Sequence, residues 1–94
     1  MPAYWITNIE VTDPEGYGKY AKLAGPAIES FGGKFLARGG RYKQLEGRER
    51  ARNVVVEFPD IETAEACYNS PAYQEALSYA KDASIRDMVL VEGV

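Results

Sequence analysis

Residues 52–60 read Arg-Asn-Val-Val-Val-Glu-Phe-Pro-Asp and contain the strongest strand signal in the chain. Because β-branched and aromatic residues favour extended structure, we expect a strand from Arg52 to Phe58. Pro59 turns the chain, and Asp60 is a favourable N-cap for a following helix. Apolar residues then recur at helical spacing on one face, at Ile61, Ala64, Cys67 and Tyr68. This stretch therefore predicts a strand followed directly by a helix.

Three further strands are predicted on either side of this unit, at Tyr4–Val11, Lys34–Arg38 and Asp87–Glu92. Residues 41–49 are less regular, and they form either one more strand or a loop. The resulting order is β-α-β-(β)-β-α-α-β. It predicts a single α+β domain over residues 1–94, with a ferredoxin-like antiparallel sheet and helices on one face.

Two more helices follow from caps and apolar periodicity. Asp13-Pro14 starts a helix that extends to Phe31, with a kink or short break predicted at Gly25-Pro26. Gly32-Gly33 ends this helix, since glycine tolerates the left-handed backbone of a C-cap. Ser70-Pro71 starts the last helix in the same way, with a serine cap and a proline in the first turn.

Composition excludes several classes of function. The net charge of −3 and the pI of about 4.9 do not favour nucleic-acid binding, and no apolar run is long enough to span a membrane. The N-terminus has no signal-peptide pattern, so we expect a cytoplasmic protein. Histidine is absent and Cys67 is the only cysteine, which argues against a Ser-His-Asp triad, a disulfide and a Cys/His metal site. We expect no cofactor and no metal.

Basic residues are concentrated between Arg38 and Arg52. This segment contains six basic and two acidic residues, which gives it a local net charge of +4. Arginine forks match phosphate and carboxylate groups, so this segment could bind an anion. The alternative is a solvated loop whose charges keep a sheet edge soluble.

Alternation along the strands predicts which side chains lie on the sheet face that the helices leave open. On that face we expect Asn8, Arg38 and Glu57 together with Ile6, Leu36 and Val55. Such an apolar surface would be exposed in a monomer, whereas two sheets packed face to face in a two-fold dimer would bury it. The pattern therefore predicts a homodimer.

Several motifs resemble the domain of unknown function 1330 family over nearly the whole chain. They are Phe35-Leu-Ala-Arg-Gly-Gly40, Leu45-Glu-Gly47, Asn53-Val-Val-Val-Glu-Phe-Pro-Asp60, Ala64, Tyr68-Asn-Ser-Pro-Ala-Tyr73 and Val91-Glu-Gly93. The resemblance implies a ferredoxin-like subunit that pairs into a dimeric α+β barrel, but it implies no activity. Members of the family often carry an arginine seven residues after the tyrosine of Ser-Pro-x-Tyr. This chain has Ala80 there, so a function served by that arginine would be lost or moved.

The candidate functional residues on the open face are Arg38, Glu57 and Asn8. We expect Arg38 to hold an anionic group and Glu57 to act as the catalytic acid or base, with Asn8 nearby as a ligand-binding residue. The alternative is an internal ion pair that fixes sheet register or the dimer seam. Three tyrosines on helix stripes either line a ligand pocket or pack in the core, namely Tyr20, Tyr68 and Tyr73.

These expectations combine into one functional hypothesis. The protein is a homodimer that binds a small polar or anionic molecule in a pocket between its sheet and the dimer partner. If it is an enzyme, it is a cofactor-independent enzyme of the dimeric α+β barrel type. The alternative is a non-catalytic dimerisation or protein-interaction module.

Overall fold

Four antiparallel strands form one sheet in the computed structural model, which describes residues 1–94. The strands are β1 (Ala3–Val11), β2 (Lys34–Arg38), β3 (Arg52–Phe58) and β4 (Ser84–Glu92), and their spatial order is β2-β3-β1-β4. β1 pairs with both β3 and β4, so the N-terminal strand is central and β2 and β4 are the edges. This arrangement confirms the predicted ferredoxin-like α+β fold.

Three helices accompany the sheet: α1 (Pro14–Ser30), α2 (Ile61–Asn69) and α3 (Pro71–Ala80). Two predicted caps are confirmed, because the Asp60 carboxylate accepts from the Thr63 amide at 2.7 Å and the Ser70 hydroxyl accepts from the Tyr73 amide at 3.2 Å. Asp13 stands at the N-cap of α1, as its place before Pro14 predicts, although its side chain makes no capping hydrogen bond. Its backbone amide donates to the Ala83 carbonyl instead.

The predicted break in α1 does not occur, because the helix is continuous through Pro26. Proline lacks an N–H, so it removes one intrahelical hydrogen bond while the turns on either side continue the helix. The predicted end is confirmed. Gly32 adopts a φ of 78°, and the Gly33 amide donates to the Ile28 carbonyl. No helix is both long enough and apolar enough to cross a membrane.

The core lies between the helices and one face of the sheet and is rich in aromatic rings. Trp5 is 2% exposed, with its ring centroid 4.8 Å from that of Phe58 and 5.0 Å from that of Tyr73. Ile9, Val56 and Phe58 point to the same side of the sheet and are almost fully buried. The assignment of the two faces of β1 and β3 is therefore confirmed.

One strand prediction needs correction, and one open alternative is decided. Residues 39–51 form a loop, one of the two alternatives for residues 41–49, with a hydrogen bond from the Tyr42 hydroxyl to Glu49 and a positive φ at Gly47. The loop is exposed apart from Arg50, which is 4% exposed. β4 begins at Ser84 rather than Asp87, because Ser84 and its two successors continue the pairing with β1 in register. These residues lack the apolar run that marks the rest of β4.

A β-bulge in β2 reverses the predicted orientation of Arg38. Phe35 pairs with Val56 and Arg38 pairs with Val54, so the register shifts by one residue between Phe35 and Ala37. Because of the extra residue, every later side chain of the strand points to the opposite face of the sheet from the one that regular alternation predicts. Arg38 therefore lies on the helix-facing side and not on the open face.

Candidate functional site

A cavity of about 60 Å³ lies between α1 and the sheet. Its walls are mainly apolar and aromatic, with large surfaces from Trp5, Ile9, Tyr17, Phe35, Val54 and Val56. The side chains of Arg38, Arg52 and Arg86 line the same space, and no aspartate or glutamate does. The cavity therefore concentrates positive charge in apolar surroundings.

Strand register places two of these arginines in one row. Ile9 of the central strand pairs with Arg52 on one side and with Arg86 on the other. Directly paired residues share a face of the sheet, and Ile9 is 1% exposed beneath the helices. Arg52 and Arg86 thus flank Ile9 on the helix-facing side.

Arg86 is held by two tyrosine hydroxyls rather than by a carboxylate. Its Nη2 atom donates to the Tyr20 hydroxyl at 3.0 Å and to the Tyr73 hydroxyl at 3.2 Å. The two hydroxyls are also hydrogen-bonded to each other, with 2.8 Å between their oxygens. α1 supplies Tyr20, α3 supplies Tyr73 and β4 supplies Arg86, so this triad joins three elements of the fold.

All three cavity arginines lie against aromatic rings. The guanidinium carbon is 3.5 Å from the ring centroid for Arg38 over Phe35, 5.8 Å for Arg52 over Tyr17 and 4.8 Å for Arg86 over Tyr20. Cation–π contacts hold a guanidinium in place without using its in-plane N–H groups. The in-plane N–H groups remain able to form hydrogen bonds, and Arg86 already uses Nη2 to bond Tyr20 and Tyr73.

The cavity arginines have no anionic partner in the chain. The one salt bridge joins Arg50 to Asp87 at 3.2 Å, and neither residue lines the cavity. The Nε atoms of Arg52 and Arg86 are buried with no hydrogen-bond acceptor. The Nε atom of Arg50, outside the cavity, is unpaired in the same way, so what distinguishes the cavity is its three arginine side chains without a carboxylate and not an unpaired Nε–H.

Gly39 packs against the side chain of Arg52. It has a φ of 67°, and a Cβ placed on it would collide with the Arg52 guanidinium. The glycine therefore permits both the turn after β2 and the close packing of the backbone on Arg52.

Burial raises the pKa of the Tyr20 hydroxyl above its ordinary value, and the neighbouring Tyr73 adds to this effect. Tyr20 consequently keeps its proton at neutral pH and can act as a hydrogen-bond donor. Burial also raises the pKa of the Tyr17 hydroxyl at the same cavity. The site therefore offers donors on both arginine and tyrosine side chains.

The structure does not bring Arg38 and Glu57 together. Glu57 lies on the open face, where it accepts a hydrogen bond from the Tyr4 hydroxyl at 3.2 Å, whereas Arg38 lines the cavity on the opposite face. Asn8 is also on the open face and donates to Asn53 at 2.7 Å. The predicted ion pair between Arg38 and Glu57 is therefore absent.

The three predicted tyrosines occupy different places. Tyr20 lines the cavity, and Tyr73 is fully buried behind it with its hydroxyl on Tyr20. Tyr68 is 36% exposed and borders a separate, more open groove of about 300 Å³ between α2 and β4. The cavity thus uses Tyr20 directly and Tyr73 through a hydrogen bond.

Sequence reasoning missed Arg52 and Arg86 as site residues. Both share strand parity with apolar, helix-facing neighbours: Arg52 with Val54 and Val56, and Arg86 with Met88 and Leu90. The sequence signal for Arg52 and Arg86 is an arginine that alternates with apolar residues on the buried face of a strand. Ala80, at the position where an arginine was expected from the resemblance, is fully buried in the core.

The basic segment divides among three environments. Arg38 and Arg52 enter the cavity, while Arg50 donates to the Ile85 carbonyl and pairs with Asp87. The remaining basic residues of the segment lie on the exposed loop. No group of three or more metal-ligating side chains occurs in the chain.

The open face of the sheet carries exposed apolar side chains. The largest exposed fractions belong to Leu36 at 50%, Ile85 at 50%, Val89 at 54% and Val91 at 44%. They surround the partly buried Ile6 and Val55 of the two central strands. The predicted apolar character of this face is confirmed.

Solved structures with the same fold cover nearly the whole chain. A protein of unknown function from Rhodopseudomonas palustris has a TM-score of 0.79 at 19% identity, covering 99% of this chain and 82% of its own. A dimeric ferredoxin-like protein of unknown function from Jannaschia sp. CCS1 has a TM-score of 0.73 at 12% identity, covering 99% and 100%. SnoaB, a cofactor-independent oxygenase from Streptomyces nogalater, has a TM-score of 0.63 at 10% identity, covering 99% and 93%. At these identities the likeness establishes the fold.

No curated protein matches the chain. One family model does, and it extends over residues 2–94. The chain therefore belongs to the family described as Domain of unknown function (DUF1330).

Proposed function

We propose that the protein binds a small organic anion in the cavity between α1 and the sheet. The observation that carries this proposal is the set of three arginines that line an apolar cavity without any carboxylate partner. Arg52 and Arg86 are partly buried and Arg38 is exposed at the cavity, and arginine is the residue best suited to bind a planar anion through parallel N–H groups. A ligand carboxylate would supply the missing acceptor.

The proposal places the ligand inside one subunit rather than between the sheet and a partner. Glu57 and Asn8 are separated from the cavity by the sheet itself, so they do not touch this ligand. Arg86 and Arg52 take over the anion-holding role expected of Arg38, which lies exposed beside the cavity. The cavity offers no carboxylate or imidazole as a general base, so the geometry favours binding over proton-transfer catalysis.

Native mass spectrometry of the purified protein, without chelators and at modest salt, tests this proposal. We expect a reproducible added mass of an organic acid on each subunit, with Arg86→Met reducing its occupancy at least tenfold. Arg41→Gln is the matched control, because it removes one positive charge from the exposed loop without touching the cavity. Loss of the added mass in both variants would assign the effect to net charge and contradict the proposal.

We also propose that a second copy of the chain covers the open face of the sheet. The exposed apolar residues on that face support this proposal, and similar folds include proteins described as dimeric. Burying such a face stabilises the dimer by ~25 cal/mol for each Å² of apolar surface removed from water. This dimerisation could also be the whole function, which is the second candidate.

Sedimentation velocity at micromolar concentration distinguishes these states. We expect a dimer for the unmodified chain and a monomer for Val89→Arg, which places a charge among the exposed apolar side chains of the open face, beside Ile6. Leu23→Arg is the matched control, since Leu23 is 39% exposed on α1 in the helix layer. A monomeric unmodified chain would contradict the proposed dimer, and a dimer without any retained ligand would favour the dimerisation module.

A further inference from the structure

We infer that the ligand is a short-chain 2-oxo carboxylate, held by its carboxylate on Arg52 and Arg86 and by its oxo group on the Tyr20 hydroxyl. This inference rests on the anion-binding function proposed above. It follows from the numbers of hydrogen-bond donors and acceptors at the cavity and from the cavity's size.

The charged groups at the cavity are donors with unused capacity. An arginine has five N–H groups, and the contacts of Arg86 to protein acceptors involve only its Nη2 atom, directed at Tyr20 and Tyr73. The Nη1 atom of Arg86 takes part in neither of these bonds, and it is the group of Arg86 left to meet a ligand, since the unpaired Nε atoms of Arg86 and Arg52 are fully buried. A ligand that matches this site must present acceptor oxygens.

The tyrosine pair adds one more free donor. Two hydroxyl hydrogens are present, but only one of them can lie between the two oxygens, which are 2.8 Å apart. Both oxygens also accept from Arg86, so the second hydrogen has no acceptor in the chain. Tyr73 is fully buried, whereas Tyr20 lines the cavity. A ligand can therefore accept the free hydrogen only when Tyr73 donates to Tyr20 and the Tyr20 hydrogen is the free one. The Tyr20 O–H then turns toward the cavity.

The volume limits the body of the ligand. The cavity holds about 60 Å³, whereas an apolar protein cavity known to take up benzene has about 150 Å³. A carboxylate with two or three carbon atoms fits the enclosed space, whereas an aromatic ring would have to extend through the open side of the cavity. The buried part of the ligand is therefore a short chain.

The donors also discriminate among short acids of equal charge. A 2-oxo acid offers only acceptors, so it satisfies both the arginines and the Tyr20 hydroxyl. A saturated acid leaves that hydroxyl unpaired, and a 2-hydroxy acid brings a donor of its own to a donor-rich site. Unpaired buried polar groups commonly reduce affinity by about tenfold or more.

Isothermal titration of the full chain with pyruvate, lactate, propionate and phenylpyruvate tests the inference. We expect pyruvate to bind about tenfold more tightly than lactate or propionate, and phenylpyruvate to bind more weakly than pyruvate. Tyr20→Phe should abolish the preference for pyruvate over propionate, since it removes the free O–H. Tyr73→Phe should keep that preference, because the Tyr20 hydroxyl retains its hydrogen. This second variant makes the test independent of whether Tyr20→Phe folds.

The failures of the two proposals are distinguishable. Equal affinities for pyruvate, lactate and propionate would overturn the 2-oxo inference, while Arg86-dependent binding would leave the anion-binding function standing. Tighter binding of phenylpyruvate would overturn the short-chain limit alone. If none of the four acids binds at millimolar concentration, the inference is wrong, and the native mass spectra decide separately whether another anion occupies the cavity.

Discussion

The triad of Tyr20, Tyr73 and Arg86 makes a specific prediction about folding stability. It contains three hydrogen bonds, one between the hydroxyls and one from Arg86 to each hydroxyl. Tyr20→Phe removes two of these bonds and keeps the third, and Tyr73→Phe does the same from the other side. The double variant removes all three. The bond between the hydroxyls is thus lost in each single variant but can be lost only once.

Typical hydrogen-bond energies give the expected loss in the free energy of unfolding for each variant. A neutral hydrogen bond contributes ~1 kcal/mol net, and we assign ~1.5 kcal/mol to each bond from Arg86, whose side chain is partly exposed. Each single variant should then lose ~2.5 kcal/mol and the double variant ~4 kcal/mol. The double variant is therefore ~1 kcal/mol more stable than the sum of the single losses predicts, which is the coupling energy of the hydroxyl pair.

Urea unfolding followed by Trp5 fluorescence measures these values, since Trp5 is buried beside Tyr73. With a urea dependence of ~1.3 kcal/mol/M, each single variant should lower the midpoint by ~2 M. Tyr79→Phe is the matched control, because Tyr79 is 40% exposed and its hydroxyl makes no hydrogen bond, so its effect should stay within ~0.5 kcal/mol. Strict additivity of the Tyr20 and Tyr73 variants would refute the reasoning.

Three further predictions concern other parts of the fold. Ser70→Ala should lower the free energy of unfolding by ~1 kcal/mol, because the hydroxyl caps α3, while Ser70→Asp should restore most of that loss; equal urea midpoints for the two variants would contradict the capping role. Burial raises the pKa of the Cys67 thiol to about 11 from 9.0, so the folded protein favours the protonated thiol. The stability that this preference contributes is complete below pH 9 and is lost as the pH rises toward 11. Cys67→Ala should make unfolding curves between those pH values less steeply pH-dependent, and an unchanged dependence would exclude the thiol as a cause. Glu57→Gln should leave ligand affinity within about twofold by titration, because Glu57 lies on the opposite face of the sheet; a tenfold loss would place it in the site.

The sequence pattern was sufficient for the fold because the local signals that define the elements agreed with the tertiary structure, although the predicted break in α1 and the predicted start of β4 did not. The strand over residues 52–58 and the caps at Asp60 and Ser70 depend on neighbours within a few positions, and all of them are confirmed. Asp13 is confirmed at the N-cap of α1, although its side chain makes no capping hydrogen bond. Its backbone is held by the Ala83 carbonyl, a partner about seventy positions away that no local signal indicates.

The site was less predictable because it depends on single-residue register. Leu36 adds one residue to β2, and this bulge transfers Arg38 from the open face to the cavity. Nothing in the alternation of a five-residue strand distinguishes a bulged from a regular pairing. Arg86 was missed because β4 was started at Asp87, so an arginine inside a strand was read as part of the connection that precedes it.

The row formed by Arg52, Ile9 and Arg86 makes a structural origin of the cavity hard to sustain. Stability accounts for Arg86, whose Nη2 atom bonds Tyr20 and Tyr73, but an apolar residue at position 52 would pack against Tyr17 and remove an unpaired buried Nε–H. The fold does hold a paired arginine elsewhere, since Arg50 meets Asp87, so this sheet can accommodate an acidic partner. On the helix-facing side it supplies only aromatic rings and hydroxyls. Arginines fixed in this way are preorganised for an anion that the chain itself does not contain, because their positions are set before the ligand arrives.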